Sequence, residues 1–539
     1  MKRIFSALLL CLLLAGSCTA PQDKAVKPTR NLIVMITDGT SSSLLSTARW
    51  YHRYMVDSLD WPLNVDPYLC GFVQSRLSNA IIPDSAPAMS GYMTGVPCRV
   101  GNLSIYPQPD TLQGDVVPTD PAMAWHPAAT VLEGAKLEMG KAVGVVATVL
   151  FPHATPGATA THSARRGAYT EHRHQMVDHG IDVVFAAGVH LIDDDLKARL
   201  EAQGITYQAN DLQGFRNFKS GKVWSLFGDD MMDYEIDRNP EEQPSLHEMT
   251  GKAIELLSAH KNGFFLMVEG SKVDYAAHAQ DPIETITEFL EFDRAVKVAL
   301  DFAKKDGNTT VLILPDHGNS GITLGDRYYS NYAAKGLDSM FVNMKNYRAG
   351  VTHLRKLLAE APADQIAPVF FEWTGIGLKP HEEELLRRCQ ATGQFGSTIQ
   401  HILTSRTHIG FTSGNHTGED VFLAAYNPKG QRPMGMITNT ELNQYMQDVL
   451  GMKVSLSEHS KEWFSPYTEV FGEGFECSYE GEPTMPVLVV RKDEHILRVP
   501  SFKATAELDG KPVQLCIPTV FMRENNMFYL PADSRKFFN

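Results

Sequence analysis

Four continuous apolar runs, each delivering a reactive side chain at its end, constrain this chain more than any other feature. Leu32 to Thr37 (LIVMIT) runs into Asp38-Gly39, Ala142 to Leu150 (AVGVVATVL) leads to His153-Ala154-Thr155, Phe264 to Val268 (FFLMV) delivers Glu269-Gly270, and Thr310 to Leu314 (TVLIL) delivers Pro315-Asp316-His317-Gly318. Runs of β-branched residues without polar alternation suit strands covered on both faces, so a parallel sheet follows. The clearest helical pattern between them spans 282–305, where Ile286, Phe289, Leu290, Val296, Leu300 and Ala303 recur at helical spacing before a Gly307-Asn308 stop. In open α/β sheets a ligand sits beyond the carboxyl ends of the strands, where residues far apart in sequence converge. Asp38, Ser85, Thr155, Glu269, Asp316 and His416 all stand just after or beside such runs.

A chain of 539 residues could hold several average domains or one large sheet with insertions. Its formal net charge of −14 excludes the basic footprint of nucleic-acid binding, and it means that any anion site must be locally positive. At the N-terminus, Lys2-Arg3 precede an apolar stretch from Ile4 to Leu14, too short to span a bilayer and of the right length for a secretory signal. It ends in Leu14-Ala15-Gly16-Ser17-Cys18, which resembles a bacterial lipobox with Cys18 as the lipid-modified residue; cleavage after Cys18-Thr19-Ala20 is the competing reading. Residues 1–18 are thus read as a signal peptide and 19–30 as a polar tether. The expected location is the periplasm or cell envelope, with a lipid at Cys18 as the membrane contact. The remaining cysteines, Cys70, Cys98, Cys389, Cys477 and Cys516, form no C-x-x-C pair, which argues against a zinc-thiolate site. Cys477 with Cys516 is a candidate disulfide, and burial as free thiols fits equally well.

The chemistry lies elsewhere. Asp274 and His278 are four apart, on one side of a helical turn, and oxygen with nitrogen ligands suits zinc in a catalytic site. Asp316-His317 is a second acid and imidazole pair, placed after a strand and before a glycine. His416 lies in Ser413-Gly414-Asn415-His416-Thr417-Gly418, just before the apolar run Val421 to Ala425. Taken alone, an Asp-x-x-x-His pair reads as a surface helix contact and Asp84-Ser85 as a helix N-cap; together the three constellations point to metal.

These residues, with Asp38-Gly39, Asp84-Ser85-Ala86 followed by Met93-Thr94-Gly95-Val96, His153-Ala154-Thr155-Pro156 and Glu269-Gly270, resemble the alkaline phosphatase family in order and spacing, over about 31–451. The resemblance implies an α/β three-layer sandwich with a largely parallel central sheet. It also implies two zinc ions, one held by Asp274, His278 and His416 and one by Asp38, Asp316 and His317, with a third ion, magnesium in most relatives, on Asp38, Thr155 and Glu269. An all-oxygen third position is what a hard cation prefers, and paired zinc ions suit an in-line displacement. Ser85 would be the nucleophile, forming a phosphoserine that water hydrolyses, with Asp84 beside it. Arg166, four residues after His162, would grip the phosphate with its planar fork, leaving Arg165 a solvated neighbour. Two departures stand out: His153 where some bacterial relatives have aspartate, which leaves the third ion less defined, and Tyr275 where some have lysine, which removes a positive charge near the phosphate.

Other features read as bland. Glu171-His172-Arg173-His174 is expected as a surface loop, Glu382 to Arg388 as an exposed helix face, and Asn415-His416-Thr417 as a sequon explained by its metal ligand. The stretch 326–407 is an insertion that in relatives caps the site or forms a dimer contact, so a homodimer stays open. Residues 452–539, with short runs at Pro486 to Val490, His495 to Val499 and Cys516 to Phe521, read as a small β-rich extension without chemistry of its own. The expected activity is metal-dependent hydrolysis of small phosphate monoesters. A phosphodiesterase of the same superfamily is the alternative reading, and a non-catalytic phosphate- or glycan-binding envelope lipoprotein is the one from another class.

Overall fold

A computed structural model describes residues 25–326 and 336–538. The expected signal peptide, Cys18 and the first part of the tether lie outside the described residues. Ten strands form the central sheet: β1 (Asn31–Thr37), β2 (Leu69–Gln74), β3 (Ala142–Leu150), β4 (Val183–Ala187), β5 (Ile205–Ala209), β6 (Lys222–Leu226), β7 (Phe264–Gly270), β8 (Thr309–Leu314), β9 (Val421–Tyr426) and β10 (Gly435–Thr438). Their order is β10-β2-β9-β8-β1-β7-β3-β4-β6-β5. All neighbours run parallel except β9, which is antiparallel to both β2 and β8. The four runs read from sequence occupy adjacent central positions, and every residue of β1, β3, β7 and β8 is buried. Alternate residues of β1 feed opposite cores, Leu32, Val34 and Ile36 on one face and Ile33 and Met35 on the other, which makes the sheet the middle of three layers.

The long helix Pro282–Asp306 follows its sequence signals. Asp281 caps it by accepting from the amides of Ile283 and Glu284, proline occupies the first turn, and the chain leaves through Gly307 at φ 68°. The insertion is helical, with Leu337–Phe341, Val351–Glu360, Ile366–Thr374, Pro380–Thr392 and Gly396–Thr404. The Glu382 to Arg388 stretch departs from the expected exposed face at two residues, Glu382 and Leu386. Glu382 is buried, caps its own helix through the Lys379 amide and pairs with Arg406 at 2.6 Å.

The C-terminal extension holds a five-stranded antiparallel sheet, Glu476–Glu482, Met485–Lys492, His495–Pro500, Thr505–Leu508 and Lys511–Gln514. A helix, Leu456–Trp463, precedes it, and a strand begins only at Val520 in the run expected from Cys516. Leu488, Val490, Leu497 and Val499 join the same core as Leu32 of β1. The candidate Cys477–Cys516 disulfide does not form; all five described cysteines are free. No helix among the described residues is long and apolar enough to cross a membrane.

Candidate active site

The carboxyl edge of the sheet gathers the expected residues. Asp38 follows β1, Thr155 lies in a single turn after β3, Glu269 ends β7, and Asp316-His317 follow β8. Asp274 and His278 sit on the helix Lys272–His278 that β7 feeds. Because β9 runs antiparallel, its amino end lies at this same edge, which brings in His416 from a two-residue strand paired with Gly318–Asn319. Gly39 has φ 62°, and a Cβ there would stand 2.4 Å from Asp274 Oδ1, so only glycine lets the turn after β1 approach the helix.

Ser85 opens the helix Ser85–Thr94 and is almost fully buried, with its Oγ 3.1 Å from His317 Nε2. Asp84 occupies the N-cap position, but its side chain makes no cap hydrogen bond; it pairs with Arg166. Arg165 turns the other way, to Glu171 at 2.8 Å and Glu524 at 3.6 Å.

The imidazoles share one orientation. His278 Nδ1 faces the Gly414 carbonyl at 2.7 Å, His416 Nδ1 the Pro83 carbonyl at 2.8 Å, and His317 Nδ1 the Gly318 carbonyl at 3.1 Å. A carbonyl only accepts, so each Nδ1 carries the proton and each Nε2 presents a lone pair inward. The Nε2 atoms of His278 and His416 stand 3.1 Å apart, 3.4 and 3.7 Å from the Asp274 oxygens. His317 Nε2 lies 3.5 Å from Asp38 Oδ1 and 3.4 Å from Asp316 Oδ2. Converging lone pairs and carboxylates repel unless cations sit among them, and carbonyl-anchored imidazoles are how metal-ligating histidines are held.

The buried oxygens beside them lack partners as well. Asp38 Oδ1, Thr155 Oγ1, both Glu269 oxygens and Asp316 Oδ2 are buried without a hydrogen-bond partner. Burial, with Asp316, Asp274 and Glu269 nearby, holds Asp38 well above the usual carboxylate range, and burial pushes Glu269 up to about 8. Asp274 goes the other way: burial opposes it, but the neighbouring His278, His317 and His416 imidazoles hold it well below its ordinary value. His153 Nδ1 is likewise buried without a partner, its Nε2 stands 3.2 Å from the Tyr275 hydroxyl, and burial lowers its pKa to about 4.

Three residues came to light only in the structure. Asn319 Nδ2 donates to Asp274 Oδ1 at 2.6 Å, a contact with no sequence signature. Glu133 and His179 join His162 in a second acid–imidazole cluster, with both imidazoles on Glu133 Oε1 at 2.9 and 3.2 Å. There the Thr130 amide satisfies Glu133 Oε2 and the Ser104 carbonyl satisfies His162 Nδ1, so this cluster is a closed hydrogen-bond network. Glu171-His172-Arg173-His174 corrects the surface-loop expectation. The segment lies in the helix Tyr169–Asp178 with Glu171, His172 and His174 buried, and the two imidazoles point apart, one toward Pro152 and one toward Arg199.

Acid and imidazole clusters gathered around a buried serine at the edge of an α/β sheet are an arrangement suited to metal-assisted hydrolysis. The alkaline phosphatase family model matches residues 29–452. Alkaline phosphatase 3 of Bacillus subtilis (strain 168) is 29% identical over 445 residues, 80% of this chain and 90% of that protein. The solved Thermus thermophilus alkaline phosphatase matches with a TM-score of 0.68 at 26% identity, over 81% of this chain and 95% of that one. A mutant of the alkaline phosphatase from the Antarctic bacterium TAB5, solved with magnesium in its M3 site, shares the fold with a TM-score of 0.56 at 23% identity, over 80% of this chain and 100% of that one. The chain belongs to the alkaline phosphatase family and is a metal-dependent phosphomonoester hydrolase.

Proposed function

We propose that Ser85 Oγ attacks the phosphorus of a phosphate monoester, that the ester bond to the alcohol breaks, and that water then hydrolyses the resulting phosphoserine to release inorganic phosphate. The observation that carries this reading is the set of unpartnered buried oxygens and inward-facing Nε2 atoms grouped around one buried serine. Asp274, His278 and His416 would hold one zinc, Asp38, Asp316 and His317 a second, and Asp38, Thr155 and Glu269 a third ion, where an all-oxygen set favours a hard cation such as magnesium. When bound, these ions supply Lewis acidity that favours deprotonated serine and water and neutralises charge on the phosphoryl oxygens.

The chain's own residues do the positioning. The start of the Ser85–Thr94 helix fixes Ser85 and aims backbone amides at the phosphoryl group. Arg166, resting on Asp84, offers two parallel donors to a pair of phosphoryl oxygens, and Asp84 holds the fork at that angle. His153 and Tyr275 close the side beyond Glu269 with a hydrogen bond to each other rather than with a cation. The test is metal analysis of the purified protein together with aryl phosphate turnover by Ser85→Ala. Zinc in the wild type and a loss of roughly 10³-fold or more in kcat are expected; a metal-free active enzyme, or an active alanine variant, contradicts the assignment.

The catalytic region is taken as 31–451 with the insertion at 326–407, and the extension as 452–539. Export with a lipid on Cys18 rests on the Leu14 to Cys18 sequence alone. Cys18→Ser should move the protein from the membrane fraction to the soluble one.

A further inference from the structure

A cavity of about 400 Å³ opens against the His278 end of the site. His278 and Gln280 form its inner wall, and the helices Val351–Glu360 and Gly396–Thr404 of the insertion close it from outside with Thr352, Arg355, Ser397 and Gln400. This outer wall is held at a fixed height. The Val351 amide donates to Asp281 Oδ2 at 2.6 Å and the Thr352 amide to Glu284 Oε1 at 3.4 Å, both carboxylates being buried. Asp281 comes three residues after His278, so one short segment carries a residue of the site and pins the cap above it.

The cavity lies on a defined side of the reaction. Ser85 Oγ is 3.1 Å from His317 Nε2, the His317 ring stacks on His416 with centroids 3.8 Å apart, and His416 Nε2 is 3.1 Å from His278 Nε2. A chain of neighbour contacts thus links Ser85 through His317 and His416 to His278, which lines the cavity. Attacking and leaving oxygens stand on opposite sides of a transferred phosphoryl group. With Ser85 attacking from its own side, an alcohol that leaves on the His278 side would meet the cavity.

The lining says what kind of alcohol fits. Hydroxyl and amide groups of Thr352, Ser397, Gln400 and Gln280 suit hydroxylated carbon, and no carboxylate lines the space. Arg355 is exposed on its helix and makes no ion pair among the described residues. In a chain of net charge −14 this is a local positive point with a fork that matches a carboxylate or phosphate. We infer that the cavity is the leaving-group subsite, that it takes a polyhydroxylated alcohol bearing a second anionic group, and that Arg355 binds that group.

This subsite rests on the phosphoserine reading above, and the experiment separates the two. In the metal-replete enzyme, 6-phosphogluconate is compared with sorbitol 6-phosphate, open six-carbon substrates that differ at the carboxylate. The wild type should favour the carboxylate by about tenfold in kcat/KM, as expected for one partly exposed charge pair, with the preference fading at high salt. Both substrates yield the same phosphoserine, so kcat should be common to them where a later step limits the rate. Arg355→Gln should bring the ratio to about one, and Arg355→Glu should invert the preference. A ratio that stays the same in both variants overturns the subsite. Failure of the wild type to hydrolyse either compound or an aryl phosphate overturns the phosphomonoesterase reading and the subsite with it.

Discussion

The carboxyl edge of the central sheet and the C-terminal extension share one hydrophobic core but treat polar groups in opposite ways. At the edge, Asp38, Thr155, Glu269 and Asp316 keep buried oxygens with no partner. In the extension, the charged groups of the five-stranded sheet sit in solvent and pair with each other, as His495 does with Asp509 at 2.6 Å. Unpaired burial is costly, so it persists where a ligand completes it. The extension acts by packing. Phe464 lies edge-on to the His162 ring at 4.5 Å, the Ser460 hydroxyl accepts from the Ala129 amide at 2.8 Å, and Arg523 reaches Glu171 at 2.5 Å, next to Arg165.

Metal removal should break the edge most completely. Dialysis against a chelator is expected to abolish turnover and to lower Tm by about 10 °C or more, because four crowded carboxylates lose their counter-ions. Zinc with magnesium should restore both better than either alone; a chelated protein with unchanged Tm and activity would place the site elsewhere. On the packing side, Phe464→Ala should cost about 3–5 kcal/mol in denaturant unfolding while leaving metal content and kcat near wild type in the folded fraction. The sequence suggests that a chain ending near Gly451 keeps its kcat if it folds. The structure shows why folding is the obstacle: such a chain would strip Phe464, Leu488, Val490 and Leu497 from the core and expose what they cover.

The strands and the edge were legible because each run is buried on both faces and each reactive residue follows its strand directly, which set Asp38, Glu269 and Asp316 at one edge; their grouping with His278, His416 and Ser85 came from the family resemblance. What was not legible depends on distant contacts. Glu171 to His174 looks like a solvated loop by composition, yet it is buried because Pro152, Arg199 and Arg523 close around it. Asn319 and the cap cavity had no local signal, since their partners lie on segments whose approach only the folded sheet decides. Spacing likewise could not tell free Cys477 and Cys516 from a disulfide.

Two smaller effects sharpen the contrast. Tyr275→Lys adds a charge at the edge and should lower the inhibition constant for inorganic phosphate about tenfold with metals saturating. It also removes the hydroxyl from His153, and an unchanged constant would show that residue 275 does not sense the phosphate. Arg523→Ala, acting through Glu171 and Arg165 on the segment that carries Arg166, should raise KM by no more than about threefold with kcat retained. A large fall in kcat would make the extension part of the chemistry.

The central claim is that phosphate passes through Ser85. Metal-replete enzyme turning over substrate labelled in its phosphoryl group, quenched in acid and digested, should carry the label on the peptide containing Ser85, with none on Ser85→Ala. Label on another residue, or none on the wild type while Ser85→Ala still turns over, would contradict it.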